Sequence, residues 1–142
     1  MAENGNKTGS ISLMILRVVL GIIFAYHGYL KLFVPGGFKG TVDFFTLVGI
    51  YVPRFSALFV SLLEFVGGLL LIIGFLVRLV SVLLVFEMFV AFFAVHMRNG
   101  FVVSKGGYEF VLVLLASLFM IVANGAGRLT VKSLFSKEKK ED

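Results

Sequence analysis

Residues 11–33 read ISLMILRVVLGIIFAYHGYLKLF, a stretch whose only basic side chains are Arg17, His27 and Lys31. A helix rising about 1.5 Å per residue needs about 20 apolar residues to cross about 30 Å of hydrocarbon, so this segment predicts a membrane-spanning helix. Backbone embedded in lipid must satisfy its own hydrogen bonds, which again favours a helix. Transmembrane strands would run about ten residues with alternating polarity, and the segment shows no such alternation. A cleavable leader is also a poor match, because Arg17 interrupts the run and no small-x-small site follows it.

Three further apolar stretches follow, at about 55–77, 79–97 and 108–123; the last is the shortest and could start near Ser104. The reading is an all-α integral membrane protein, a bundle of four transmembrane helices. The breaks carry turn chemistry. Pro35, Gly36, Gly37 and Gly40 end the first helix, and residues 74–78 make a hairpin-length connection between the second and third. Arg98, Asn99 and Gly100 end the third helix, and Lys105, Gly106 and Gly107 precede the fourth. Residues 41–51 place Phe44, Phe45, Leu47 and Val48 on one side, and are too short to span; they predict a short interfacial segment between helices 1 and 2. Pro53 sits where a helix would start. The expected organisation is an N-terminal tail at 1–10, a membrane domain at 11–127 and a charged tail at 128–142.

Composition agrees. The 142 residues are 59% hydrophobic and 15% charged, with a mean hydropathy of +1.04. Soluble domains are nearer about 45–50% apolar and about 25% charged, and a small domain cannot hide the excess in its own core. With Cys at 0, the chain itself supplies no thiol relay, thiolate nucleophile or Cys-ligated iron–sulfur cluster. The net charge of +5 does not point to nucleic acid, since the basic residues are scattered between apolar runs and gathered in the tail. With the termini inside, Lys7, Arg78, Arg128, Lys132, Lys137, Lys139 and Lys140 lie on the inner side, with Arg17 close behind. Lys31, Lys39, Arg54, Arg98 and Lys105 lie outside. The positive-inside rule therefore predicts a multi-pass protein of the plasma membrane with cytoplasmic termini.

Ionisable groups at membrane depth are costly and usually face the bundle interior, so they are the candidate functional residues. They are Arg17, His27, Lys31, Glu64, Glu87, His96 and Glu109. Helical rise puts Arg17 about 9 Å from the inner face, Glu87 about 13 Å from it and Glu64 about 15 Å from the outer face. An Arg17–Glu87 ion pair is the simplest account of two otherwise costly groups. The functional alternative is a protonated glutamate that handles protons for a redox partner. Nearer the outer face, His27 and Lys31 are spaced i, i+4, while His96 ends the third span and Glu109 begins the fourth. They are read either as interfacial hydrogen bonding or as a polar pocket for a quinone headgroup. In that pocket His27 donates to a carbonyl, and Glu109 or His96 accepts a proton. Haem ligation by two histidines is disfavoured by the position of His96 at a span's end. Gly21 and Gly28 on the first helix, and Gly67 and Gly68 beside Glu64, mark faces where helices approach closely. No phosphate loop, dinucleotide fingerprint or HExxH motif is present.

The segment from Arg17 through Gly21, Phe24, His27, Gly28 and Lys31 to Phe33 resembles the opening of DoxX-type membrane proteins. So do Glu64 through Gly67, Gly68 and Gly74 to Arg78, and Ala94 to His96 followed by Gly100, Phe101, Gly107 and Glu109. Relatives of this kind include the membrane subunit of a thiosulfate:quinone oxidoreductase and proteins tied to oxidative-stress resistance. The resemblance implies a four-helix fold and recurring polar positions at Arg17, His27, Lys31, Glu64, His96 and Glu109, with Glu87 less clearly part of the pattern. The expected function is a membrane subunit that docks a redox partner and contributes a quinone and proton-handling site. On that reading Glu64, His27 and Glu109 are catalytic, and Arg17, Lys31, His96 and Glu87 bind the cofactor. The rival is a non-catalytic scaffold or assembly factor. The expected partners are the bilayer and a redox protein, with self-association left open and nucleic acid not expected.

Overall fold

Long apolar runs leave the backbone little choice but to satisfy itself. The computed structural model describes residues 2–127, with side chains from Gly9 onward, and among these every regular element is helical. The helices are α1 (Ala2–Leu32), α2 (Gly37–Leu47), α3 (Pro53–Ile73), α4 (Val77–Ala91) and α5 (Glu109–Asn124). A π turn at Phe92–His96 and a 3-10 turn at Met97–Asn99 prolong α4, and another 3-10 turn covers Val103–Lys105. Three segments are long and apolar enough to cross a membrane: Gly9–Leu32, Pro53–Ile73 and Val77–Asn99. Helix α5, with 16 residues, is shorter, about 24 Å end to end. The tail at 128–142, with Arg128, Lys132, Lys137, Lys139 and Lys140, lies outside the described residues, as does the Lys7 side chain.

Element boundaries depart from expectation where turn residues act differently from their type. The first helix runs back to Ala2, into the expected tail. Of the glycines after it, Gly36 takes the left-handed conformation (φ 81°) and breaks the chain, whereas Gly37 and Gly40 fall inside α2. Pro53 opens α3 as expected. That helix stops at Ile73 because Gly74 turns left-handed (φ 78°); its amide reaches the Leu70 and Leu71 carbonyls, and the Phe75 amide also bonds Leu70. Leu76 completes the reversal at φ 49°, a conformation a leucine rarely adopts. The turn is therefore tighter than expected, and Arg78 lies in the first turn of α4.

Small residues decide the packing. A Cβ added to Gly21 would strike the Gly68 carbonyl and Ile72, one on Gly28 would strike the Phe65 backbone, and one on Gly68 would strike Ala25. As numbers rise along α1 they fall along α3, so the two helices run antiparallel in near backbone contact. Leu20, Phe24, Leu71, Leu84, Leu118 and Ile121 fill the buried core among α1, α3, α4 and α5. The outward faces stay apolar, with Ile15, Ile22, Leu62, Phe86, Val113 and Met120 exposed, as suits a lipid-facing surface. Helix α2 packs on α1 and α3, buries no residue of its own and leaves Phe44 and Leu47 exposed.

The bundle has two distinct ends. At one, Gly127 lies against Ser10 and Met14, and Gly125 lies beside the Arg78 guanidinium. At the other, Gly37 lies on the Leu30 carbonyl and Gly107 against Gly100 and Phe101.

Candidate functional site

The close approach of α1 and α3 at Gly28 and Gly68 brings Lys31, one turn beyond Gly28, to Glu64, one turn before Gly68. Lys31 Nζ donates to Glu64 Oε2 at 2.5 Å. The lysine side chain remains 24% exposed and the glutamate 6%. Val80 fits over Gly67, and about two turns further along α4 the chain reaches the level of Glu64 with Glu87. Glu87 is buried, its carboxyl lies against that of Glu64, and Lys31 supplies the nearby positive charge. Glu87 Oε2 is buried without a hydrogen-bond partner among the described residues. The structure thus assembles two carboxyls and one ammonium, drawn from three helices, inside an apolar bundle.

The expected Arg17–Glu87 pair does not form. Arg17 is fully buried, but its guanidinium turns to the far end of the bundle, where Nη1 donates to the Ala126 carbonyl at 3.0 Å. The reason is geometric: the chain just past α5 lies beside the first part of α1, with Gly127 against Ser10 and Met14, and so offers Arg17 a backbone carbonyl at that end. Lys31, about 21 Å away along α1, takes the role at the glutamates instead.

The outer polar band divides as well. His27 is exposed on the outside of α1, edge-on to the Tyr26 ring (centroids 6.4 Å apart), while Lys31 turns inward. His96 Nδ1 bonds the Gly106 carbonyl at 2.7 Å, and because a carbonyl only accepts, that nitrogen is the donor. Asn99 Nδ2 donates to the same carbonyl at 3.2 Å. Glu109 Oε1 accepts from the Val103 amide at 2.7 Å. His96 and Glu109 therefore hold residues 100–108 to the ends of α4 and α5, with Tyr108 packed between Phe92 and Phe101. The π turn that places His96 and the role of Asn99 have no mark in the sequence; the Asn99–Gly100 pair reads simply as a stop.

A family model described as DoxX matches residues 12–97. The chain is 33% identical over 135 residues to the Bacillus subtilis (strain 168) protein named "Putative oxidoreductase CatD", covering 95% of each. It is 25% identical to the inner membrane protein YqjF of Escherichia coli (strain K12), over 93% of this chain and 98% of that one. With the Escherichia coli inner membrane protein YphA it shares 30% identity, over 54% of this chain and 52% of that one. No solved structure matches it. The family match covers the whole of the Lys31–Glu64–Glu87 cluster, and with it the chain is a membrane protein of the DoxX family.

Proposed function

We propose that the chain is a membrane subunit of a quinone-linked oxidoreductase complex, in which Lys31, Glu64 and Glu87 handle protons beside a bound quinone. The observation that carries this is the buried cluster itself: three ionisable groups at membrane depth, one with an orphaned oxygen, are expensive to keep in a bundle and are seldom retained without a use. The oxidoreductase name given to the Bacillus subtilis relative points the same way. A quinone takes up two electrons and two protons on becoming a quinol, and carboxyls in hydrogen-bond reach of its carbonyls supply or accept those protons. Electrons come from a docked redox partner, since a chain with 0 Cys supplies no iron–sulfur ligation of its own. His27, exposed on α1 one turn from Lys31, would be the group that meets a headgroup arriving from the bilayer.

In this reading α5 is the fourth crossing, completed by the turns at either end. The end of the bundle that holds Arg78 and Gly125–Gly127 faces the cytoplasm of the plasma membrane. The test is quinone binding by purified protein in nanodiscs. Binding is expected in the native protein and about tenfold weaker in His27→Ala and Glu64→Gln; absence of binding, or equal affinity in all three, removes the quinone site.

A scaffold or assembly factor is the second reading. It draws on Arg17, His96 and Glu109, whose polar atoms bond backbone groups and so hold elements together. It expects these substitutions to lower folded yield and partner association in step, with no separate loss of electron transfer.

A further inference from the structure

We infer that Lys31, Glu64 and Glu87 form a proton-binding site that holds one proton between two carboxyls and is reached from the α2 end of the bundle. This deepens the proton-handling part of the proposed function and stands without its quinone part. Charge counting leads to it. The ammonium of Lys31 donates to Glu64 at 2.5 Å, and its single charge can balance one carboxylate. Glu87 adds a second carboxyl against the first, and among the described residues no other charged group faces the pair. Of the other α1 cations with described side chains, Arg17 is about 21 Å away and bonded to Ala126. From α5 the groups packed toward α4 are Val111, Leu114, Leu115 and Leu118, while Glu109 is bonded to Val103. His96 is bonded to Gly106, and on α2 Lys39 and Asp43 pair with each other in the open. Two like charges in contact inside hydrocarbon, with one counter-charge between them, are relieved by a single shared proton. That proton also gives Glu87 a donor for the carboxyl beside it.

Access follows from what lies above and below. Toward α2 the partly exposed Lys31 opens the cluster to the interface. Toward the other end Leu20, Phe24, Leu71, Leu84 and Leu118 close the bundle at no more than 3% exposure. Ser81 contributes a hydroxyl on that side, but it has no hydrogen-bond partner among the described residues and so does not link the cluster to that end through side chains. Among the described residues the site is a well with one mouth.

Infrared spectroscopy of the full chain in nanodiscs, with no quinone present and at neutral pH, tests the count. The native protein should show the C=O stretch of one protonated carboxyl, shifted in heavy water. Glu64→Gln and Glu87→Gln should each abolish it, because Lys31 then balances the carboxylate that remains, and Lys31→Met should double it. No band in the native protein, or a band surviving in both Gln variants, overturns the proposal. Should a variant fail to fold, native protein carrying carboxyl-labelled glutamate gives the count directly: one protonated glutamate supports the site, and none or two overturn it. In sealed vesicles with one orientation, raising the pH on the α2 side should remove the band and raising it on the other side should not. Loss from either side alike overturns the one-sided access. A native band without quinone binding removes the quinone site and leaves this one standing; quinone binding without the band does the reverse.

Discussion

Lys31 and Lys39 are both lysines that donate to a carboxylate, at 2.5 and 2.7 Å, and they should behave in opposite ways. Lys39 and Asp43 are 83% and 62% exposed, and water screens the pair. Lys39→Ala should leave unfolding in mixed micelles unchanged within error. Lys31→Met instead strands two buried carboxyls and should lower stability by about 2 kcal/mol, less than the roughly 3–5 kcal/mol of a stranded buried charge because the carboxyls can be neutralised by protons. Adding Glu64→Leu should return part of that loss; a double variant as unstable as the sum of the two singles would show that Lys31 and Glu64 do not act as a pair. The sequence marks Lys31, Glu64 and Glu87 as groups that need partners. It does not reveal which group satisfies which, because Arg17 and Lys31 lie on the same stripe of one helix and either side chain is long enough to turn inward.

Helix pairing rests on glycines that look alike in sequence and differ in space. A Cβ on Gly68 would meet the backbone of Ala25, which cannot step aside, whereas one on Gly67 would meet a Val80 methyl at 3.1 Å. Gly68→Ala should therefore destabilise the bundle by about 1–3 kcal/mol despite alanine's better helix propensity, and Gly67→Ala should be close to neutral. Comparison of the two by thermal unfolding in detergent checks this, and equal tolerance would mean that α1 and α3 are not in backbone contact. Element types were legible from residue patterns, since apolar runs of about 20 residues admit little but helix in lipid. The ends were less so. Gly36 and Gly37 are adjacent and identical, yet one breaks the chain and the other begins a helix, because only Gly36 is required to adopt a positive φ. The π turn at Phe92–His96 likewise has no mark in the residue pattern; it ends on His96, whose ring bonds the Gly106 carbonyl across the following loop.

The whole molecule has a direction. The segment from Ser10, the α3–α4 turn with Arg78, and Gly125–Gly127 gather at one end, and α2 with the loop at residues 100–108 at the other. Since the protein has 0 Cys, single cysteines can report on each end without background. Cysteines at Leu76 and Asn124 should react with an impermeant maleimide only in inside-out vesicles, and those at Gly40 and Ser104 only in right-side-out ones. Labelling of Asn124→Cys on the same side as Ser104→Cys would show that α5 does not cross. Composition by itself determined the solvent and the secondary structure: a chain that is 59% hydrophobic, cut by Pro and Gly into long runs, is helical in lipid, and its few ionisable residues are where to look. Those conclusions depend on local quantities, the transfer free energy of side chains and the need of each backbone group for a near partner. Only the tertiary structure decided that the glutamates share Lys31, that Arg17 holds the end of α5, and that His96 and Glu109 hold a loop. The first two depend on the distance between helices far apart in sequence, which glycine contacts set and hydropathy does not record; the third depends on the path of a loop whose contacts join positions ten and six residues apart.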